Sequence, residues 1–124
     1  MLKITFVCLG NVYRSVYAEK KLKELVRKNN IKGAEVNSAG ILHIEDGDEK
    51  QIERIKNSDL ILIFEQKHKK ILQDYTDKPI YTLKEFVFND NHDIDDPIHG
   101  GNPDYKEEID GCMEKLVEKV KEMV

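Results

Sequence analysis

A chain of 124 residues with 35% charged side chains and a net charge of −4 has room for one apolar core under a well-solvated surface. That balance excludes the broad basic field that nucleic-acid binding needs, no apolar run reaches membrane-spanning length, and the N-terminus lacks the form of a secretory signal. Two cysteines, Cys8 and Cys112, lie far apart and fit a reduced, cytoplasmic protein better than a disulfide scaffold.

Leu2–Val7 is short and rich in β-branched residues, which predicts a central strand. The stretch Cys8-Leu9-Gly10-Asn11-Val12-Tyr13-Arg14-Ser15 predicts a tight loop and then a helix opened by Ser15. That helix runs to about Lys28 with Ala18, Leu22, Leu25 and Val26 on one face, and Asn29, Asn30 and Gly33 end it. Ala34–Asn37 predicts a weaker strand closed by Ser38-Ala39-Gly40. Asp46-Gly47-Asp48 opens a short helix to about Asn57, anchored by Ile52 and Ile55. Leu60–Phe64, five apolar residues in a row, is the clearest strand. Gln66–Tyr75 predicts a helix with His68, Ile71 and Leu72 inside. Pro79–Leu83 predicts a fourth strand, its proline at the start, where a missing N–H does least harm. Asn89–Asn102 is irregular and ends in a helix opening, Asn102-Pro103-Asp104. The last helix, Pro103 to Met123, carries Tyr105, Ile109, Cys112, Met113, Leu116, Val117 and Val120 on one stripe. Gly111 costs that helix about 1 kcal/mol relative to alanine.

Strands alternating with helices imply βαβ crossovers and a parallel sheet covered on both faces. Ligands of such sheets sit beyond the carboxyl ends of the strands, which is where Cys8 falls. Loop amides and the positive end of the following helix would converge there into an oxyanion site. The same donors favour a thiolate, so Cys8 is a candidate nucleophile; its plainer role is a small buried hydrophobe. Arg14 adds an always-charged fork for two phosphoryl oxygens. Gly10 suits a backbone that approaches a ligand closely, and Ser15 either donates to the thiolate or simply caps the helix.

A leaving oxygen needs a proton from the opposite side, and Asp93, Asp95 and Asp96 are the candidates. Pro97 restricts Asp96. The ordinary role of such a cluster is a solvated turn. His43, His68, His92 and His99 show no metal-ligand spacing, and Lys67-His68-Lys69-Lys70 reads as a solvated helix face.

Val7–Ser15 with Ala18-Glu19, then Asn37-Ser38-Ala39-Gly40, Tyr81-Thr82-Leu83-Lys84-Glu85-Phe86, and Asp96-Pro97 before Gly100-Gly101, together resemble the low-molecular-weight protein-tyrosine phosphatases nearly end to end. The resemblance implies a single α/β domain over residues 1–124. Its fold would be a three-layer sandwich on a four-stranded parallel sheet of flavodoxin-like order 2-1-3-4. It implies that Cys8 attacks phosphorus to form a cysteinyl phosphate, while Leu9, Gly10, Asn11, Val12, Tyr13, Arg14 and Ser15 hold the phosphate. Asp96 would protonate the leaving oxygen and then serve as base for water. Asn11, Ser15 and Ser38 would support the loop, Asn11 and Ser38 by side-chain hydrogen bonds. No metal or cofactor is implied. The partners would be a phosphorylated protein or small phosphomonoester, with phosphate or vanadate inhibiting, no nucleic acid or membrane, and a monomeric state.

Four departures from that family pattern shape the expectations. Tyr13 stands where a second loop cysteine is usual, so Cys8 lacks a resolving thiol and is expected to oxidise beyond sulfenic acid. Val16 replaces a proline. Ile98 and His99 form the expected substrate rim in place of aromatic residues that flank a phosphotyrosine ring; His99 either stacks there or is solvated. The stretch from Gly40 to Asp59 is shortened, which widens the expected mouth. Val12 is the kind of β-branched apolar residue that accompanies phosphotyrosine activity, whereas threonine there accompanies phosphoarginine activity. The alternatives are a protein-arginine phosphatase, an arsenate reductase, for which only Cys112 is left as a relay thiol, and a catalytically idle phosphate-binding module.

Overall fold

The apolar runs pair in parallel. In the computed structural model, which describes residues 1–98 and 101–124, β1 (Leu2–Cys8) lies between β2 (Ala34–Gly40) and β3 (Leu60–Ile63). β4 (Ile80–Thr82) closes the far edge, giving the order β2-β1-β3-β4 that the family resemblance implies. The helices are α1 (Arg14–Lys28), α2 (Ile41–Glu45), α3 (Glu49–Lys56), α4 (Lys69–Leu72, entered through a 3-10 turn, Gln66–His68), α5 (Leu83–Phe88) and α6 (Tyr105–Met123).

Alternation along the strands builds two apolar layers. Ile4, Phe6 and Cys8 face one side with Leu62, and meet Ala18 and Leu22 of α1 and Ile109, Met113 and Leu116 of α6. Val7, Ile61 and Ile63 face the other side and pack with Ile41 and Ile44 of α2, Ile55 of α3 and Leu72 of α4. Thr5, the polar member on that second face, is fully buried and bonds the Ser58 hydroxyl at 2.6 Å. Both sheet faces are thus covered, as a parallel sheet requires.

Several boundaries differ from the sequence-based expectation. Ser38-Ala39-Gly40 does not close β2 but completes it, because the pairing continues through Phe6↔Ser38, Val7↔Ala39 and Cys8↔Gly40. Two helices, α2 and α5, replace expected loop and strand. Leu83 leaves the sheet because Thr82 and Glu85 form a reciprocal capping box, and that box starts α5. The expected helix over 66–75 shortens to one 3-10 turn and a four-residue helix. Ser15 is not the cap of α1: the helix begins at Arg14 with Tyr13 at the cap position and no side-chain cap bond. At the other end, Asn102 Oδ1 accepts the Asp104 N–H at 3.2 Å, just before α6 begins at Tyr105. No helix among the described residues is long and apolar enough to cross a membrane.

Candidate active site

The register that ends β1 at Cys8 also sets Gly40 beside it. A Cβ at residue 40 would lie 2.9 Å from both Asn11 N and Gly10 C, so the loop after Cys8 rests directly on the end of β2. The chain leaving β2 then holds that loop from behind. The Leu42 N–H donates to the Leu9 carbonyl at 3.0 Å, and His43 Nε2–H donates to the Gly10 carbonyl at 3.2 Å. Asn11 takes a left-handed backbone, φ +54°, which asparagine tolerates better than most residues. With the carbonyls turned back into the protein, the N–H groups of Gly10 through Arg14 have no protein acceptor among the described residues. Gly10, Val12, Tyr13 and Arg14 line one cavity with Cys8, at the uncapped start of α1.

Into this concavity the loop brings three side chains. Cys8, 3% exposed, has its Sγ 3.0 Å from Ser15 Oγ, and Ser15 Oγ donates to Asn11 Oδ1 at 2.8 Å. The serine therefore has one proton and two acceptors within reach, the amide oxygen and the sulfur. Arg14 is 1% exposed and is gripped on all sides. Its Nη1 donates to the Ile94 carbonyl at 2.8 Å, and its Cζ lies 5.9 Å from the centre of the Phe64 ring. Nη1 sits 3.6 Å from Glu65 Oε1, and Nη2 sits 3.5 Å from Asp96 Oδ2.

Asp96 is thereby distinguished from its neighbours. Asp93 accepts the Gln66 N–H at 2.9 Å and is tied to the turn before α4, while Asp95 is exposed. Only Asp96 joins Cys8, Gly10, Val12, Tyr13, Arg14 and Ile98 around a cavity of about 30 Å³. Its second oxygen accepts the Ile98 N–H at 3.0 Å, and its carbonyl accepts the Asn102 N–H at 3.0 Å. Gly101 packs so closely that a Cβ there would collide with the Asp96 carbonyl. The much larger groove between α1 and α6, about 620 Å³, contains none of the motif residues.

Two expected positions stand elsewhere. Ser38 does not bond the loop; its hydroxyl donates to Glu19 of α1 at 2.5 Å, and its carbonyl accepts from Arg54 at 2.9 Å. It ties β2 to α1 and α3 instead. Ile98 lines the cavity, but His99, the other expected rim residue, lies outside the described residues. Cys112 is core: burial pushes its thiol up to about 11, and it donates to the Glu108 carbonyl at 3.3 Å.

Residues not singled out in the sequence complete the site. Glu65 follows the β3 run, is 9% exposed and carries Arg14 on one oxygen; His68 Nε2 is 3.4 Å from the other. Burial first, and then the charge of Arg14, holds the His68 pKa down to about 4. Of the two carboxylates beside Arg14 among the described residues, Glu65 is the more deeply buried and Asp96 the more open.

Comparison with known proteins gives the family and the fold. Residues 3–56 and 48–124 match the family model "Low molecular weight phosphotyrosine protein phosphatase". The two pieces meet in α3, within the stretch that the sequence reads as shortened. A Bacillus subtilis protein named protein-arginine-phosphatase is 30% identical over 147 aligned positions, covering 98% of this chain and 97% of that protein. A Staphylococcus epidermidis protein named low molecular weight protein-tyrosine-phosphatase PtpB is 30% identical, with 97% of each covered. Among solved structures, a YwlE arginine phosphatase variant with a phosphorylated active-site serine superposes with a TM-score of 0.79 at 26% identity. That match covers 97% of this chain and 96% of the other.

Proposed function

Since the chain belongs to the low molecular weight phosphotyrosine protein phosphatase family, we propose that it hydrolyses aryl phosphate monoesters, phosphotyrosine above all, through a phosphocysteine on Cys8. Membership makes the protein a cysteine-dependent phosphatase acting on phosphorylated substrates. The assignment of steps to residues is ours. It rests on one observation: the thiol, the buried guanidinium and a carboxylate border a single cavity at the strand end.

In the first step Cys8 Sγ attacks phosphorus as the ester P–O bond breaks, and Asp96 gives its proton to the leaving oxygen. Arg14 and the loop amides neutralise the equatorial oxygens, so the protein's own donors carry the developing charge. Ser15 turns its hydroxyl proton toward sulfur whenever sulfur is the anion. In the second step Asp96 takes a proton from water as that water attacks phosphorus; the P–S bond breaks, and phosphate and thiolate are released. The relative with a phosphorylated active-site serine supports a covalent phosphoenzyme here.

A second reading, arginine phosphatase, is favoured by the names of two relatives. Phosphoarginine would bring N–H donors to a mouth where the Val12 and Ile98 side chains offer no acceptor and Asp96 is the carboxylate among the described lining residues. An aryl group loses no hydrogen bonds against such a surface. We place the protein in the cytoplasm as a monomer. The test is turnover of p-nitrophenyl phosphate in the presence of a chelator. Wild type is expected to be active, and Cys8→Ser to lose turnover while still binding inorganic phosphate. Turnover surviving in Cys8→Ser overturns the assignment. A panel of phosphotyrosine and phosphoarginine peptides separates the two substrate readings.

A further inference from the structure

The mouth of the site holds a tyrosine that the chemistry above does not use. Tyr13 contributes to the cavity wall beside Cys8, Arg14 and Asp96, and it is 43% exposed. An exposed tyrosine ordinarily swings freely. This one is pinned. Its ring meets Tyr105, the first residue of α6, edge-on, at 6.3 Å and 72° between planes. Tyr105 meets Tyr17, one turn along α1, in the same way at 6.2 Å and 75°. The Tyr17 hydroxyl donates to Asp110 Oδ1 at 2.7 Å, and Lys106 Nζ lies 5.4 Å from the Tyr17 ring centre. Three rings thus form a ladder braced between two long helices, with its top rung at the active-site mouth.

Resting on the phosphatase reading, we propose that Tyr13 is the specificity-determining residue of this site: its pinned ring is the wall against which an aryl leaving group packs. The loop backbone selects phosphate without regard to what phosphate is attached to. The attached group meets Tyr13, Val12 and Ile98. Val12 is 60% exposed and Ile98 43%, so a ring packed against them removes apolar surface from water. Offset or edge contact between rings adds to that gain. Because the ladder fixes Tyr13 in advance, little ordering entropy opposes binding. An alkyl phosphate such as phosphoserine is too short to reach the ring, and a phosphorylated guanidinium brings polar edges to an apolar face.

The test measures kcat/KM for phosphotyrosine and phosphoserine peptides of identical flanking sequence, and follows the ratio of the two. In Tyr13→Ala and Tyr13→Leu the ratio is expected to fall roughly fivefold to tenfold from wild type, chiefly through KM for the aryl substrate. Tyr13→Phe keeps the ring and retains the wild-type ratio. Tyr105→Leu, which leaves the loop itself intact, shifts the ratio the same way by a smaller factor. Tyr13→Leu keeps bulk against Tyr105, so the result does not hang on the alanine variant folding. A ratio that moves less than twofold in Tyr13→Leu, or that falls as far in Tyr13→Phe, overturns the proposal while leaving the phosphatase reading in place. Wild type inactive on every phosphomonoester would instead overturn the phosphatase reading itself.

Discussion

Gly40→Ala tests whether the loop conformation depends on the end of β2. Gly40 has φ −128° and ψ 139°, an ordinary extended backbone, so alanine brings no torsional penalty and the effect is steric alone. The new methyl would stand 2.9 Å from Gly10 C and Asn11 N and 3.0 Å from Asn11 Cβ, against 3.4–4 Å for ordinary contact. Something must yield by about half an ångström. β2 cannot easily recede, since Gly40 pairs with Cys8 and its N–H donates to the buried Gln51 Oε1 at 2.8 Å. The loop moves instead, carrying its amides and Asn11 away from Cys8 and Ser15. An ångström of misplacement costs about 100-fold in rate, so half of that implies a loss of about tenfold in kcat/KM. Overpacking costs about 1–3 kcal/mol of stability. Steady-state assays with p-nitrophenyl phosphate, phosphate inhibition constants and urea unfolding read all three effects. A variant within twofold of wild-type kcat/KM that binds phosphate normally would refute the reasoning.

Asp96→Ala should slow phenyl phosphate about 100-fold or more and p-nitrophenyl phosphate far less, because only the poorer leaving group needs the proton; equal losses would make Asp96 structural. His68 is buried and neutral, its pKa lowered from 6.5 to about 4. The unfolded chain therefore takes up a proton as pH falls through 6.5, whereas the folded one waits until about 4. Stability is fully present above that window and is lost across it, by about 3 kcal/mol at most. Urea midpoints from pH 7.5 to 4.5 should show the decline, flattened in His68→Gln; a wild-type profile no steeper than the variant's counts against it. Gly111 sits on the exposed face of α6 with open space where a Cβ would go. Gly111→Ala should add about 1 kcal/mol and raise Tm by about 4 °C, and an unchanged or lowered Tm would be the contrary result.

What the sequence reveals here depends on whether a feature is local. β1 and β3 are legible because strands buried on both faces read as unbroken apolar runs. The second half of β2 is not: Ser38-Ala39-Gly40 has the composition of a turn, and only pairing with Phe6–Cys8 makes it strand. α5 was legible in principle, since Thr82 and Glu85 have capping-box spacing, but Ile80-Tyr81-Thr82-Leu83 also reads as a strand. Within the site, Cys8 and Arg14 are fixed by their spacing in one loop. Ser15 lies beside sulfur and not at the helix cap, because a hydroxyl engaged by Cys8 and Asn11 is not free to cap. Glu65 carries no motif signal, and Gly40, though part of a motif, carries no sign of its place beside the loop. Register alone brings them in: Val7 pairs with Ile63, so the chain two residues past Ile63 arrives beside the loop that follows Cys8.

That register has an electrostatic consequence. A guanidinium as buried as Arg14 is costly if left unpaired, and Glu65 pairs with it from within the protein. Glu65 therefore also spends much of the positive charge that would greet a phosphate. Asp96 stands on the other nitrogen of the same guanidinium, and its side chain is more open to solvent than that of Glu65. An anion entering the cavity that Asp96 lines therefore displaces Asp96 from Arg14 and leaves Glu65 in place. Asp96→Asn, which removes that competing carboxylate, should bind inorganic phosphate at least as tightly as wild type, read as an equal or lower inhibition constant. A clearly weaker affinity in Asp96→Asn would show that Asp96 helps to hold the anion instead of competing with it.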